Sequence, residues 1–180
     1  MNNYERIARE FHQRIDCIAG AVDDLAPGIE AASAAVVACV LADHKILVVG
    51  AAAAAALAEH LATSLCVAVG NKPALPAIAV TSDAEAIADH SFWHRLRTLS
   101  RDGDLLVCLD TREDALMARH CAEFARQRNL AAIVLSEKHT DLSQDLSLTI
   151  NTPNPVLRSE LLLMAAHCLT SCSHQLMLGE

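Results

Sequence analysis

The stretch Val48–Leu57, VVGAAAAAAL, reads as a buried strand running into a helix. Valines before the glycine suit a strand covered on both faces, and alanine is the best intrinsic helix former. Strand-to-helix turns at the carboxyl end of a parallel sheet are where α/β proteins commonly cradle phosphate groups. After Gly50, however, come six alanines, with no second glycine, serine or lysine. The stretch therefore predicts an α/β fold whose first turn offers a ligand little beyond methyl groups and main-chain N–H donors.

Working outward, residues 45–50 (KILVVG), 76–80 (PAIAV), 103–110 (GDLLVCLD), 130–136 (LAAIVLS) and 146–151 (LSLTIN) predict five strands. Helical stretches separate the first four of these, and a long closing helix follows the fifth from about Asn154, with Pro155 near its start. The apolar strands predict a largely parallel sheet in a three-layer α/β/α arrangement. In front of them, Tyr4, Ile7, Phe11, Ile15, Ile18 and Val22 recur at three- and four-residue spacing, the mark of one helix face. Pro27-Gly28 predicts the end of that helix, and 29–42 a second one, giving an N-terminal helical hairpin over 1–43 and an α/β core over 44–180. The whole is expected to be one domain, since 180 residues suit a single core.

The chain is 53% hydrophobic with 3% aromatic residues, and its formal net charge of −8 repels polyanions. With Lys and Arg scattered, direct nucleic-acid binding is not expected. The charged N-terminus lacks the apolar core of a secretion signal, so a cytoplasmic protein is expected. Residues 161–179 lack charge, but His167, Ser171, Ser173, His174 and Gln175 argue for a buried or interface helix over a membrane span. The seven cysteines form no CxxC pair and predict reduced, core-packed thiols.

The turns at the strand ends are the places to look for a site. The third, LDTREDA (109–115), is the polar one; Asp110, Thr111 and Asp114 suit either helix capping or a ligand.

Taken together, the helical start, KILVVG, ALAEHLA, PALPAIAV, GDLLVCLDT and SELLLMAAHCL resemble the sugar isomerase (SIS) domain family. The resemblance lies within its phosphoheptose isomerase branch and the related DnaA-associating proteins, and it covers nearly the whole chain. It implies a homotetramer or homodimer and a site for a sugar phosphate such as sedoheptulose 7-phosphate. The family's asparagine and serine of the first loop fall on Ala51 and Ala54, leaving Gly50. The hydroxyls of its second loop fall on Asp110, Thr111, Arg112 and Ala115.

The family moves a proton between adjacent sugar carbons with a glutamate and a histidine. Their places fall on Thr63 and His167. A threonine hydroxyl is no general base near neutral pH, so His167 is expected to be vestigial. Glu59 and His60 are the nearby substitutes, but Glu59 is one turn, about 6 Å, from Thr63, too far for proton transfer without a rearranged site. The resemblance thus implies an eroded pocket. It points to a non-catalytic module that binds a carbohydrate derivative or a protein, DnaA among the possible partners. The alternative is an isomerase with a relocated site using His167, Thr111 and Arg112.

His167, Cys168, Cys172 and His174 invite a metal reading, but the four cannot converge from one helix, and neither metal nor cofactor is expected. An Asp110–His167 hydrogen bond is a further expectation of the family geometry. Asp89 and His90 are expected as exposed helix residues, and Trp93 as a core or interface anchor.

Overall fold

The computed structural model describes residues 2–67, 71–83, 88–137, 146–152 and 154–179. It contains α1 (Asn3–Leu41), β1 (Ile46–Ala51), a 3₁₀ turn (Ala52–Ala54), α2 (Ala55–Cys66), β2 (Ala77–Ser82) and α3 (His90–Leu99). These are followed by β3 (Leu105–Leu109), α4 (Leu116–Gln127), β4 (Ala131–Ser136), β5 (Leu146–Thr149) and α5 (Pro155–Leu178). The five strands form one parallel sheet in the order β2-β1-β3-β4-β5.

Alternation along the strands splits the core in two. Ile46, Val48, Leu105, Val107, Leu109, Ile133 and Leu135 face a layer built by α1, α2 and α5. Leu47, Val49, Leu106, Cys108, Ala132 and Val134 face α3 and α4, where Phe92, Leu96, Met117 and Phe124 meet them. Trp93 is a half-buried member of this second layer, edge-on to Phe92 at 5.0 Å between ring centroids. All seven cysteines are free thiols. The hydrogen bond with Cys121 and burial push the Cys108 thiol well above its ordinary value, so it stays protonated.

The N-terminal hairpin is not formed. Residues 3–41 make one helix of 39 residues, with Pro27 inside it. An interior proline costs about 3 kcal/mol, through its missing N–H and its clash with the preceding turn. Here the apolar stripe continues across it: Leu25 and Ile29 are buried on either side, followed by Ala32 and Val36. Burial of each large side chain contributes about 1.5–3 kcal/mol, which outweighs the local breaker. The other end of the stripe is different. Tyr4, Ile7, Phe11, Ile15 and Val22 are each more than half exposed, on a helix about 58 Å long.

Gly50 is required by packing. A Cβ there would lie 2.5 Å from the Ala54 carbonyl oxygen and 3.0 Å from the Ala58 Cβ, because α2 folds back closely on the end of β1. Gly50→Ala is expected to cost about 1–3 kcal/mol, the usual range for an overpacked core. Urea denaturation checks this, and an unchanged midpoint would contradict it.

Asp89 is the N-cap of α3, half-buried, accepting from the Ser91 N–H at 2.9 Å, the Ser91 hydroxyl at 2.7 Å and the Ser82 hydroxyl at 2.8 Å. The two serine hydroxyls hold its carboxyl down from the ordinary 3.8 to about 2. A depressed carboxylate stabilises the fold above its unfolded pKa, and that contribution is lost as pH falls through the folded one. Asp89→Asn is therefore expected to flatten the fall in stability between about pH 4 and pH 2, read as Tm against pH.

Candidate functional site

In this sheet the connection from β1 runs to one side, to β2, and then returns past β1 to β3. The ends of β1 and β3 therefore flank the point where the topology switches, the usual ligand crevice of an open parallel sheet. Gly50 pairs with Leu109, which sets the two turns side by side.

The first turn is not simply the start of a helix. Ala51 is still strand, Ala52–Ala54 form a 3₁₀ turn, and Ala52 has φ +48°, a left-handed conformation that costs a non-glycine residue about 1–2 kcal/mol. The helix begins only at Ala55. Ala52 and Ala53 are exposed.

In the second turn, the Asp110 carboxylate is buried at the end of β3. Its Oδ1 accepts from the Arg112 N–H at 3.0 Å and its Oδ2 from the Ala118 N–H at 3.0 Å, in the first turn of α4. Asp114 accepts from the Leu116 N–H at 3.1 Å, so both aspartates cap this helix. Burial raises the Asp110 pKa; the two main-chain bonds and the Arg112 charge oppose that. The Arg112 guanidinium turns to Asp114, at 3.1 and 2.9 Å, and holds that carboxyl below its ordinary value. Ala115, at φ +48°, precedes α4.

His167 does not meet Asp110. It is exposed on α5, and its Nε2 lies 2.8 Å from Nε2 of His60 on α2, with the Ser64 hydroxyl 3.5 Å from the same His60 nitrogen. In this contact one ring donates and the other accepts, according to tautomer. Thr63 is exposed one turn further along α2. The neighbouring Glu59 accepts from the Thr81 hydroxyl at 3.1 Å, at the end of β2. The residue opposite His167 is thus an imidazole from the position three before Thr63. Periodicity places His60 and Thr63 on adjacent turns but cannot say which one the closing helix reaches.

Arg158 was also beyond sequence reasoning. In the first turn of α5, it is 1% exposed. Its Nη1 donates to the Thr111 carbonyl at 2.9 Å and its Nη2 to the Thr152 carbonyl at 3.3 Å. Nη2 also lies 2.9 Å from Oε2 of Glu137, an ion pair too poorly aligned to count as a hydrogen bond. Nε is buried and has no partner among the described residues. The only sequence signal is a cation just before the apolar run 161–166. Of the other expected site residues, Thr111 and Arg112 are half-buried beside Asp110, and Asp89 caps α3 while His90 is exposed.

The SIS domain family matches residues 10–137 of this chain. The chain belongs to the SIS domain family. Relatives of this SIS protein include the phosphoheptose isomerase of Halorhodospira halophila, 27% identical over 99% of this chain and 98% of the relative. That of Methylococcus capsulatus is 28% identical over the full length of both. Among solved structures, the phosphoheptose isomerase of Francisella tularensis superposes with a TM-score of 0.82 at 24% identity, covering 97% of this chain and 100% of that one. The three-layer parallel fold and the relation to phosphoheptose isomerases are thereby established.

Proposed function

We propose that this SIS protein works as a binding module, through protein contacts or a ligand without a phosphate, and does not carry out the isomerisation for which its relatives are named. The observation that supports this is the Asp110 carboxylate, buried at the place where the family's phosphate hydroxyls fall and already bonded to two main-chain N–H groups. A dianionic phosphate brought to roughly 4 Å from it would meet a repulsion of several kcal/mol in a desolvated site. The first turn adds only alanines. Purified protein incubated with sedoheptulose 7-phosphate is expected to show no aldose–ketose conversion by NMR and no thermal shift. Turnover, or a shift at micromolar concentration, would refute the reading.

A second reading is favoured by the His60–His167 contact. Two imidazoles in contact can carry an acid and a base role between them, so an isomerase with a relocated pair is chemically feasible. It requires turnover that His60→Asn and His167→Asn each abolish.

The module is further proposed to pair with a second copy of itself along α1. The exposed stripe from Tyr4 to Val22 is continuous with the buried part of the same helix face. A groove of about 420 Å³ between α1 and α5, lined by Val22, Leu25, Ile29, Met164, Cys168 and Leu176, extends it. Charge favours an antiparallel arrangement. Residues 3–15 carry Arg6, Arg9 and Arg14 against Glu5 and Glu10, whereas 16–30 carry Asp16, Asp23, Asp24 and Glu30 with no base. DnaA, by the resemblance, is the first protein partner to test.

A further inference from the structure

We propose that the outer face of the α3/α4 layer, centred on the carboxyl ends of those two helices, docks an acidic segment of a partner polypeptide. The face lies across the sheet from α1, and its centre lies beside the amino ends of β3 and β4, away from the crevice. It therefore depends neither on pairing along α1 nor on what the crevice holds.

The arginines are scattered along the chain, and the fold gathers them. Residues 90–102 and 116–129 make up α3, α4 and the turns at their carboxyl ends. They carry Arg95, Arg97, Arg101, Arg119, Arg126 and Arg128 against only Asp102 and Glu123, in a chain whose net charge is −8. The two helices touch. The Trp93 ring lies 5.9 Å from that of Phe124 and 6.2 Å from that of His120, and Arg128 Nη2 donates to the Arg97 and Ser100 carbonyls at 3.4 and 3.1 Å. All six arginines are exposed, and none forms an ion pair among the described residues. The two acids bond amides instead, Asp102 accepting from Asn129 at 2.6 Å and Glu123 from Gln127 at 3.3 Å.

Helix stability explains part of this arrangement. Arg95, Arg119 and Arg128 donate to main-chain carbonyls, and a cation in the last turn complements the helix dipole. That leaves the side chains of Arg97, Arg101 and Arg126, which make no hydrogen bond among the described residues. Like charges gathered on one face repel one another, and an anionic partner turns that repulsion into attraction.

The chemistry of the face selects the partner. Its cations are all arginine, whose planar fork meets a carboxylate with two parallel bonds. A nucleic acid suits it less, because a strand running past the face enters the negative field of the rest of the chain. The Trp93 ring is also taken up by Phe92, Phe124 and His120, so no Trp, Tyr or Phe ring among the described residues of this face stands free to stack on a base. A short acidic segment covers the face alone.

The probes are a labelled oligoglutamate peptide and a labelled single-stranded oligonucleotide of matched charge. Each is titrated with full-length protein by fluorescence anisotropy at low and at high salt. Native protein is expected to bind the peptide more tightly than the oligonucleotide, and less tightly as salt rises. Arg97→Glu with Arg101→Glu and Arg126→Glu should weaken peptide binding by about tenfold or more, the loss expected of several exposed ion pairs. Its circular dichroism should be native and its Tm no lower, since these side chains bond nothing in the described protein. The same three positions changed to Lys keep fold and charge but lose the fork, and should bind with intermediate affinity. No binding of the peptide by the native chain would overturn the inference. So would affinity that neither set of substitutions changes, or tighter binding of the oligonucleotide, which would assign the face to nucleic acid.

Discussion

Arg158→Ala should lower the unfolding free energy by about 3–5 kcal/mol, the loss typical of removing one partner from a buried ion pair. The side chain is fully inside the protein and joins three chain segments at the carboxyl end of the sheet: Thr111 after β3, Glu137 after β4 and Thr152 after β5. Its loss strands two main-chain carbonyls as well as a carboxylate that is only one-fifth exposed, at 20%. Arg158→Met keeps most of the volume and isolates the polar part of the effect. Adding Glu137→Gln to Arg158→Met should recover about 1–2 kcal/mol, because it removes the uncompensated charge. Chemical denaturation of the four proteins measures all of this. A loss below about 1 kcal/mol for Arg158→Ala, the level of an exposed pair, would show that the guanidinium is not holding the turns.

The second large effect concerns association. Native protein is expected to sediment as a dimer or higher assembly at micromolar concentration, and Phe11→Asp with Ile15→Asp to convert it to monomer. Both side chains are mostly exposed in the single chain, at 64% and 58%, so the substitutions should leave the fold of each subunit intact by circular dichroism. Buried at the centre of an interface, each would contribute about 2 kcal/mol. In a symmetric pair each substitution counts twice, so even one weakens a dimer by about 4 kcal/mol, close to a thousandfold in Kd. Charge supplies a second test. If the helices run antiparallel, the basic residues near Arg6 and Arg9 lie over the acidic segment around Asp23 and Asp24 of the other copy. Arg6→Glu with Arg9→Glu should then weaken pairing, and do so less at high salt. A native chain that is monomeric at these concentrations would refute the pairing.

The order of strands and helices was legible because it depends on short-range pattern. Apolar runs such as 46–49, 105–109 and 132–135 can be satisfied only by a sheet covered on both faces, and the turns between them announce themselves by polarity. The amino-terminal hairpin, expected from an equally short-range signal, gives way to a single helix. Pro27-Gly28 is a strong local breaker, but local energy of a few kcal/mol yields to a stripe that buries Leu25 and Ile29 against the same layer. The alanine run was legible as a turn with nothing for a ligand to grip, though not as a left-handed residue followed by a 3₁₀ turn.

By itself, then, the sequence determined the layer architecture, the parallel sheet and the packing-dominated turn after Gly50. Each of these follows from residue type and from spacing within one element. Only the tertiary structure decided that His60 is the residue against His167, that Asp110 turns inward to the amides of α4, and that Arg158 ties the strand ends together. These contacts join residues 107, 8 and 47 positions apart. Which side chains meet over such separations depends on the angle at which one helix crosses another and on the depth at which a turn is buried, and neither is written in the periodicity of any single segment.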